Sequence, residues 1–379
     1  MRTKVKICLV GGEDAHKRIP LAQRLMQNGF DVTIIGSADY TYPKQIRYLK
    51  YALNRKLNPI SDIHTLWFYN RYFRNEKFDI VQTFDTKPAF LVPLALKSAN
   101  TKIVRTITGL GTIFMSNGPK NRILRKVHAS FHRLVRNRVT HTTFQNKQDR
   151  DFFLNKHLVN ETNSSLIYGS GIELDVYTGS HKKQSETFTF CCVARLVYEK
   201  GVINYLEAAR ICSDQGYKFK FLLIGPLEEN SKRLNQQILE EYSEYVEWLG
   251  PRTDIPHWLQ ISSAFVLPTY REGFSRVLLE ACATGIPSIT TKVPGCQEII
   301  RDRKEGILVD VDNSNQLAEA MILLARDKGL YDSCAANAKV HVEQFSIDKI
   351  SKDYMQLYFS CLAMKSSNGK EVLTKAEYL

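Results

Sequence analysis

The residues best placed to do chemistry in this 379-residue chain are two glutamates and two basic residues on separate strand-to-helix turns. Glu272 lies in the turn Pro268-Thr269-Tyr270-Arg271-Glu272-Gly273-Phe274-Ser275, and Glu280 follows eight residues later in the opening turns of a helical pattern. A helix start offers unpaired backbone N–H groups and a positive dipole end, which favour an anion such as a diphosphate. Gly273 lets the backbone approach that anion. Carboxylates accept hydrogen bonds from hydroxyl groups, so the set suits a diphosphate flanked by two polyhydroxylated rings, as in a nucleotide-sugar. The second turn, Ala194-Arg195-Leu-Val-Tyr-Glu-Lys200-Gly201, ends another apolar run and places two cations where they can neutralise a departing diphosphate.

These turns need strands and helices to hold them. Apolar runs at 5–11, 31–35, 79–83, 102–107, 140–144 and 164–167 alternate with helical patterns, the first at 19–28. The second half repeats the habit at 188–194, 219–224, 246–249, 264–267, 288–291 and 306–309. Strand–helix alternation predicts parallel sheets with helices on both faces. The expected division is an N-terminal domain over 1–177, a polar linker at 178–186 and a C-terminal domain over 187–345. A closing helix at 346–364 is expected to pack back toward the N-terminal domain, followed by a frayed end.

Composition narrows the classes. The net charge is +13. Residues 1–180 hold 28 Lys and Arg against 13 Asp and Glu, whereas residues 181–379 hold 24 against 26. The excess positive charge therefore belongs to the first half and calls for an anionic partner there. Eight scattered cysteines with no Cys-x-x-Cys pair read as reduced core thiols. The first ten residues have too short an apolar run for a signal peptide, and no stretch has the length of a membrane-spanning helix. These features predict a cytoplasmic chain. Residues 120–138 carry seven basic residues and no acid, with Ile123, Leu124, Val127, Phe131, Leu134 and Val135 on one helical face. Tyrosines and basic residues also mix over 40–57, and Trp67, Phe68, Tyr69, Tyr72 and Phe73 cluster. Basic helices with apolar stripes suit an anionic lipid surface, so peripheral contact with the inner face of the cytoplasmic membrane is expected.

The Glu272–Glu280 segment resembles the Glu-x7-Glu signature of the retaining glycosyltransferases of family 4, which have the two-domain GT-B fold, and the Arg195–Gly201 turn resembles that family's Arg-Leu-x-x-x-Lys-Gly element. The resemblance implies that Glu272 meets the donor sugar, Glu280 the ribose, and the backbone of Gly273, Phe274 and Ser275 the phosphates or sugar. Arg195 and Lys200 then serve the diphosphate, Gly225 lines the pocket by its backbone, and Arg252 lies on the loop that meets the base. The segments around Gly295 and Gly306 fit the family as structural turns. Asp310-Val-Asp312 precedes a helix for which Ser314 is the expected cap, and no metal or cofactor is expected.

In the first half, Gly11 and Gly12 match the family's glycine loop beside donor diphosphate and acceptor, with Lys17 and Arg18 following. The run 106–114, containing Gly109 and Gly111, the run 144–151 and the loop 169–171 together resemble the subgroup that extends saccharides on polyprenyl diphosphate. Where many relatives have a histidine, this chain has Thr108 or the run Phe84-Asp85-Thr86-Lys87, which makes Asp85 and Lys87 acceptor-side candidates. The implied activity is retaining transfer of a hexose or N-acetylhexosamine from a nucleotide diphosphate, UDP foremost, to a lipid-linked saccharide. A GT-B epimerase is the nearest alternative. A dehydrogenase lacks its glycine fingerprint here. A nucleic-acid-binding module lacks an aromatic RNA-binding signature and a zinc-finger pattern, so no nucleic-acid partner is expected.

Overall fold

The structure is a computed structural model and describes residues 4–54, 58–98, 100–111, 114, 118–177, 187–228 and 233–364. The linker expected at 178–186 and the chain end after Met364 lie outside the described residues. The chain divides into two compact units. One holds the described residues up to Gly171 and from Ile347 onward; the other is Ile172–Ser346.

In the first unit the order is β1 (Lys6–Val10), α1 (Ile19–Gln27), β2 (Asp31–Gly36), β3 (Arg47–Lys50), α2 (Pro59–Asn75), β4 (Ile80–Thr83), α3 (Pro88–Ala95), β5 (Lys102–Ile107), α4 (Pro119–Val135), β6 (His141–Phe144), α5 (Lys147–Asn155) and β7 (Ser164–Leu166). The strands form one parallel sheet in the order β3-β2-β1-β4-β5-β6-β7. The central strands β4 and β6 are buried along their whole length, as a sheet covered on both faces requires. β3 was not expected. Its sequence, Arg-Tyr-Leu-Lys, has no buried residue and forms the sheet edge, which leaves no apolar run to read. Several tyrosines expected to face a membrane are used inside: Tyr51 is buried with its hydroxyl on the Gly11 carbonyl, and Tyr42 stacks on Tyr48.

Helices α1 and α12 (Ile347–Ala363) cover one face of this sheet through Leu21, Leu25, Ile350, Tyr354 and Tyr358. Helices α2, α3 and α5 cover the other through Tyr69, Phe73, Leu91, Val92 and Phe153. Arg24 of α1 bonds Asp348 of α12 at 2.6 Å. Tyr354 reaches into a buried polar network of Gln82, Thr106 and Thr143. Six side chains of α12 are buried among apolar neighbours, worth on the order of 10 kcal/mol as an upper bound. The closing helix is therefore integral to the first unit.

The second unit runs β8 (Thr189–Val193), α6 (Val202–Asp214), β9 (Lys220–Ile224), α7 (Gln236–Glu241), β10 (Glu247–Trp248), α8 (Ile255–Gln260), β11 (Ala264–Leu267), α9 (Arg276–Thr284), β12 (Ser288–Thr291), β13 (Gly306–Val309), α10 (Ser314–Arg326) and α11 (Lys328–His341). Its parallel sheet has the order β10-β9-β8-β11-β12-β13. Asn313, rather than Ser314, caps α10, because its side chain accepts the Gln316 amide at 2.9 Å. No helix among the described residues is long and apolar enough to cross a membrane.

Candidate donor and acceptor sites

Both candidate turns of the second unit leave the carboxyl ends of adjacent strands, since β8 pairs with β11. They are sewn together by backbone. The Tyr270 amide donates to the Glu199 carbonyl at 2.9 Å, and the Thr269 hydroxyl donates to the same oxygen at 3.1 Å. Gly201 begins α6 in the left-handed region (φ +68), and a Cβ there would lie 1.9 Å from the Pro268 carbonyl oxygen. Only glycine lets the two turns approach so closely.

The result is a direct ion pair between Lys200 Nζ and Glu272 Oε1, with side chains 22% and 12% exposed. Half-buried opposite charges hold each other in place, and removing either leaves an uncompensated charge. Arg195 does not join that pair. Its guanidinium meets Glu228 across the parallel β8–β9 ends, and both side chains are about half exposed. Glu280 sits on α9 with Arg276 Nε at 3.1 Å. Buried Tyr177 also hydrogen-bonds Glu280 and Arg276; burial first, then the Glu280 carboxylate, pushes its phenol pKa up.

Three further residues fix the Glu272 turn. The Tyr270 hydroxyl lies 2.8 Å from both Asn204 Oδ1 and Asp312 Oδ1, and Asn204 Nδ2 bonds Asp312 at 3.2 Å. Asp312 is thus a tether. Gly295 (φ +77) lies against the backbone of Gly273 and Phe274, and its carbonyl accepts the Ser275 amide at 3.0 Å. That amide is consumed internally, so Ser275 offers an anion no N–H of its own. The side chain of Ser275 does not cap α9, which leaves the following first-turn amides to carry the helix's positive end. Phe274 packs edge-on against Phe345. Gly225 has both backbone groups engaged, by Gly250 and by the Trp248 indole, and Arg252 is exposed with its guanidinium over Trp258.

In the first unit the expected acceptor residues are drawn inward. The Gly11 amide bonds the Ile35 carbonyl, and the Gly12 amide donates to Asp85 Oδ2 at 2.8 Å. Asp85 holds the left-handed conformation (φ +69) to make that contact. Lys87 pairs with Asp62 of α2 at 2.6 Å. Arg18 is buried with its guanidinium 4.2 Å from the Phe84 ring centre. Gly109 and Gly111 both have positive φ just beyond β5. Sequence reasoning missed Tyr177, Tyr270 with Asn204, and Glu228. Tyr270 lies inside the quoted turn but was given no role there, the others lie outside the motifs, and each is defined by contacts distant in sequence.

Two Rossmann-like parallel-sheet units in one chain are the domains of the GT-B fold. Solved structures agree on the fold. Sucrose-phosphate synthase from Thermosynechococcus elongatus superposes with a TM-score of 0.82 at 17% identity, covering 96% of this chain and 100% of that one. A glycosyltransferase from Rickettsia africae gives 0.76 at 18% identity, covering 96% and 100%. The family model for glycosyl transferases group 1 matches residues 176–341, and that for glycosyltransferase family 4 matches residues 20–176. This chain belongs to glycosyltransferase family 4, a family of retaining enzymes. Among curated proteins it is 28% identical to the N,N'-diacetylbacillosaminyl-diphospho-undecaprenol alpha-1,3-N-acetylgalactosaminyltransferase of Campylobacter jejuni, over 92% of this chain and 96% of that protein. It is 24% identical to the UDP-Gal:alpha-D-GlcNAc-diphosphoundecaprenol alpha-1,3-galactosyltransferase of Escherichia coli, over 89% and 90%.

Proposed function

We propose that this enzyme transfers a hexose or N-acetylhexosamine from a UDP-sugar to a saccharide on polyprenyl diphosphate, with retention at the anomeric carbon, at the cytoplasmic face of a membrane. The observation that carries the donor half is the Lys200–Glu272 pair held beside the mouth of α9. The near-full-length likeness to two enzymes whose names specify undecaprenyl-diphosphate acceptors supports the acceptor half.

Lys200 and the first-turn amides of α9 receive the β-phosphate, and Arg195 exchanges Glu228 for a phosphate oxygen. These groups stabilise the charge that develops as the glycosyl–phosphate bond breaks. Glu272 accepts hydrogen bonds from the sugar hydroxyls while keeping Lys200 oriented. Glu280, held by Arg276 and Tyr177, accepts from the ribose. The acceptor hydroxyl attacks from the face the diphosphate leaves, and its proton passes to the departing phosphate oxygen.

The test is incubation of the full chain with a panel of UDP-sugars and polyprenyl-diphosphate saccharides, reading product mass and anomeric configuration. An acceptor lengthened by one α-linked sugar from an α-linked donor is expected. Sugar turnover without any acceptor would select an epimerase instead.

A further inference from the structure

Residues 86–148, which supply α3, β5, α4 and β6, hold 12 Lys and Arg and no Asp or Glu. One of those cations is interior. Arg105 leaves the middle of β5 toward α4 and is fully buried. Its Nε donates to Thr142 Oγ1 on β6 at 2.9 Å, and its Nη1 donates to His132 Nδ1 on α4 at 3.0 Å. Nη2 is buried as well and has no hydrogen-bond partner among the described residues. Burial pulls the guanidinium pKa down to about 9, which leaves it charged at neutral pH.

The groups around it bring donors and no negative charge. A guanidinium only donates, so His132 accepts at Nδ1 and carries its proton on Nε2, which donates to His128 Nε2 at 3.1 Å. Burial, then Arg105, holds His132 well below its ordinary pKa, so it is neutral. His128 in turn keeps its proton on Nδ1, and that atom too is buried without a partner among the described residues. The remaining walls are aromatic. Phe90 and Phe153 pack edge-on against His132 with ring centres 4.4 and 4.6 Å away, and Phe114 packs edge-on against His128 at 5.6 Å.

A buried cation is ordinarily neutralised by a carboxylate, because an uncompensated charge in an apolar interior is costly. The acid-free segment supplies none here. A buried donor is ordinarily satisfied by an acceptor, and this series of side chains ends with two N–H groups unused. We infer that Arg105 Nη2 binds a small monovalent anion of the halide class between β5 and α4, and that this ion supplies the counter-charge the chain lacks. The single guanidinium matches a single negative charge. The aromatic walls favour a weakly hydrated ion over phosphate or sulfate, whose charge and size call for several more donors than the site offers. The inference is independent of the donor and acceptor readings: it concerns what holds α4 against the sheet.

The full chain is melted in sodium gluconate, with chloride, bromide or fluoride replacing gluconate at constant ionic strength. Chloride and bromide should raise the melting temperature along a saturating curve, by roughly 3–6 °C at about ten times the Kd. Fluoride, which is more strongly hydrated, should give little of that rise. Arg105→Gln and Arg105→Leu should each lose the saturating response while keeping any linear salt effect. Crystals of wild type grown in bromide give a reading that does not depend on a variant folding: an anomalous peak is expected at hydrogen-bonding distance from Arg105 Nη2. An ordered water there in place of bromide would overturn the inference. So would a melting temperature indifferent to the identity of the anion, or the same saturating rise in Arg105→Gln.

Discussion

Replacing Gly295 with alanine tests how the donor turn is held. The new Cβ would lie 2.7 Å from both the carbonyl carbon and oxygen of Gly273 and 2.9 Å from the Phe274 amide nitrogen. Ordinary contact begins near 3.4 Å, so one segment must retreat by roughly 0.7 Å. All the opposing atoms are backbone, so no side chain can rotate away. The left-handed conformation at φ +77 costs a further 1–2 kcal/mol, roughly, for a residue with a Cβ. The segment that moves carries Glu272 on one side and the α9 mouth on the other, and a displacement approaching 1 Å at a reacting centre costs up to about a hundredfold. Gly295→Ala should therefore lower kcat/KM for the donor by roughly 10- to 100-fold. It should also lower the melting temperature by about 2–4 °C per kcal/mol lost. Gly216 supplies the control. Its φ is +83, yet nothing lies within 4 Å of an added Cβ, so Gly216→Ala should lose stability alone and keep kcat/KM. Initial-rate transfer kinetics and calorimetric melting read both effects. Wild-type kcat/KM in Gly295→Ala, or an equal loss in Gly216→Ala, would refute the reasoning.

Other consequences follow from the same contacts. Glu272→Gln replaces the partner of a largely buried ammonium with a neutral amide; kcat should fall about a hundredfold, with a modest loss of thermal stability, and a wild-type kcat would contradict the assignment. Tyr177→Phe removes the phenol that holds Glu280, so KM for the UDP-sugar should rise roughly three- to tenfold with kcat within twofold; an unchanged KM would make the contact structural only. A pH effect comes from the first unit, where Arg105 is fully buried and donates to His132 Nδ1 at 3.0 Å. Because guanidinium only donates, His132 carries its proton on Nε2 and donates to His128 at 3.1 Å. Burial and then Arg105 push the His128 pKa down from 6.5 to about 4, and burial and then Arg150 do the same to His141. Such groups bind protons more readily unfolded, so stability is full above pH 6.5 and is lost as pH falls toward about 4, by roughly 1–3 kcal/mol each. Thermal melts across that window should show the loss, and His128→Gln should reduce its slope; an unchanged slope would show that His128 does not drive it.

Much of the scaffold was legible because buried parallel strands read as uninterrupted apolar runs. The bounds expected for β5, β11, β12 and β13 match the structure residue for residue. Edges gave weaker signals. β3 has no apolar face to reveal it, and β10 shrinks to Glu247–Trp248. Ser314, the expected cap, is the first residue of α10, and the adjacent Asn313, which also carries a side-chain acceptor, takes the capping role. The site's residue types were legible from its motifs, but its pairings were not. Lys200 and Glu272 are 72 positions apart, and only the pairing of β8 with β11 brings them together. The Gly12 amide could not be known to be spent on Asp85 until the two loops were placed side by side. Likewise, α4's spacing showed an apolar stripe, but only packing separates buried Val135 from exposed Ile123.

Calorimetric titration of UDP into the full chain and into Lys200→Met reads the donor grip most directly. Wild type should bind with a Kd between about 1 µM and 1 mM, and the variant at least roughly tenfold more weakly. No heat with wild type, or equal affinity in the two proteins, would contradict the claim that this lobe grips a nucleotide diphosphate through Lys200.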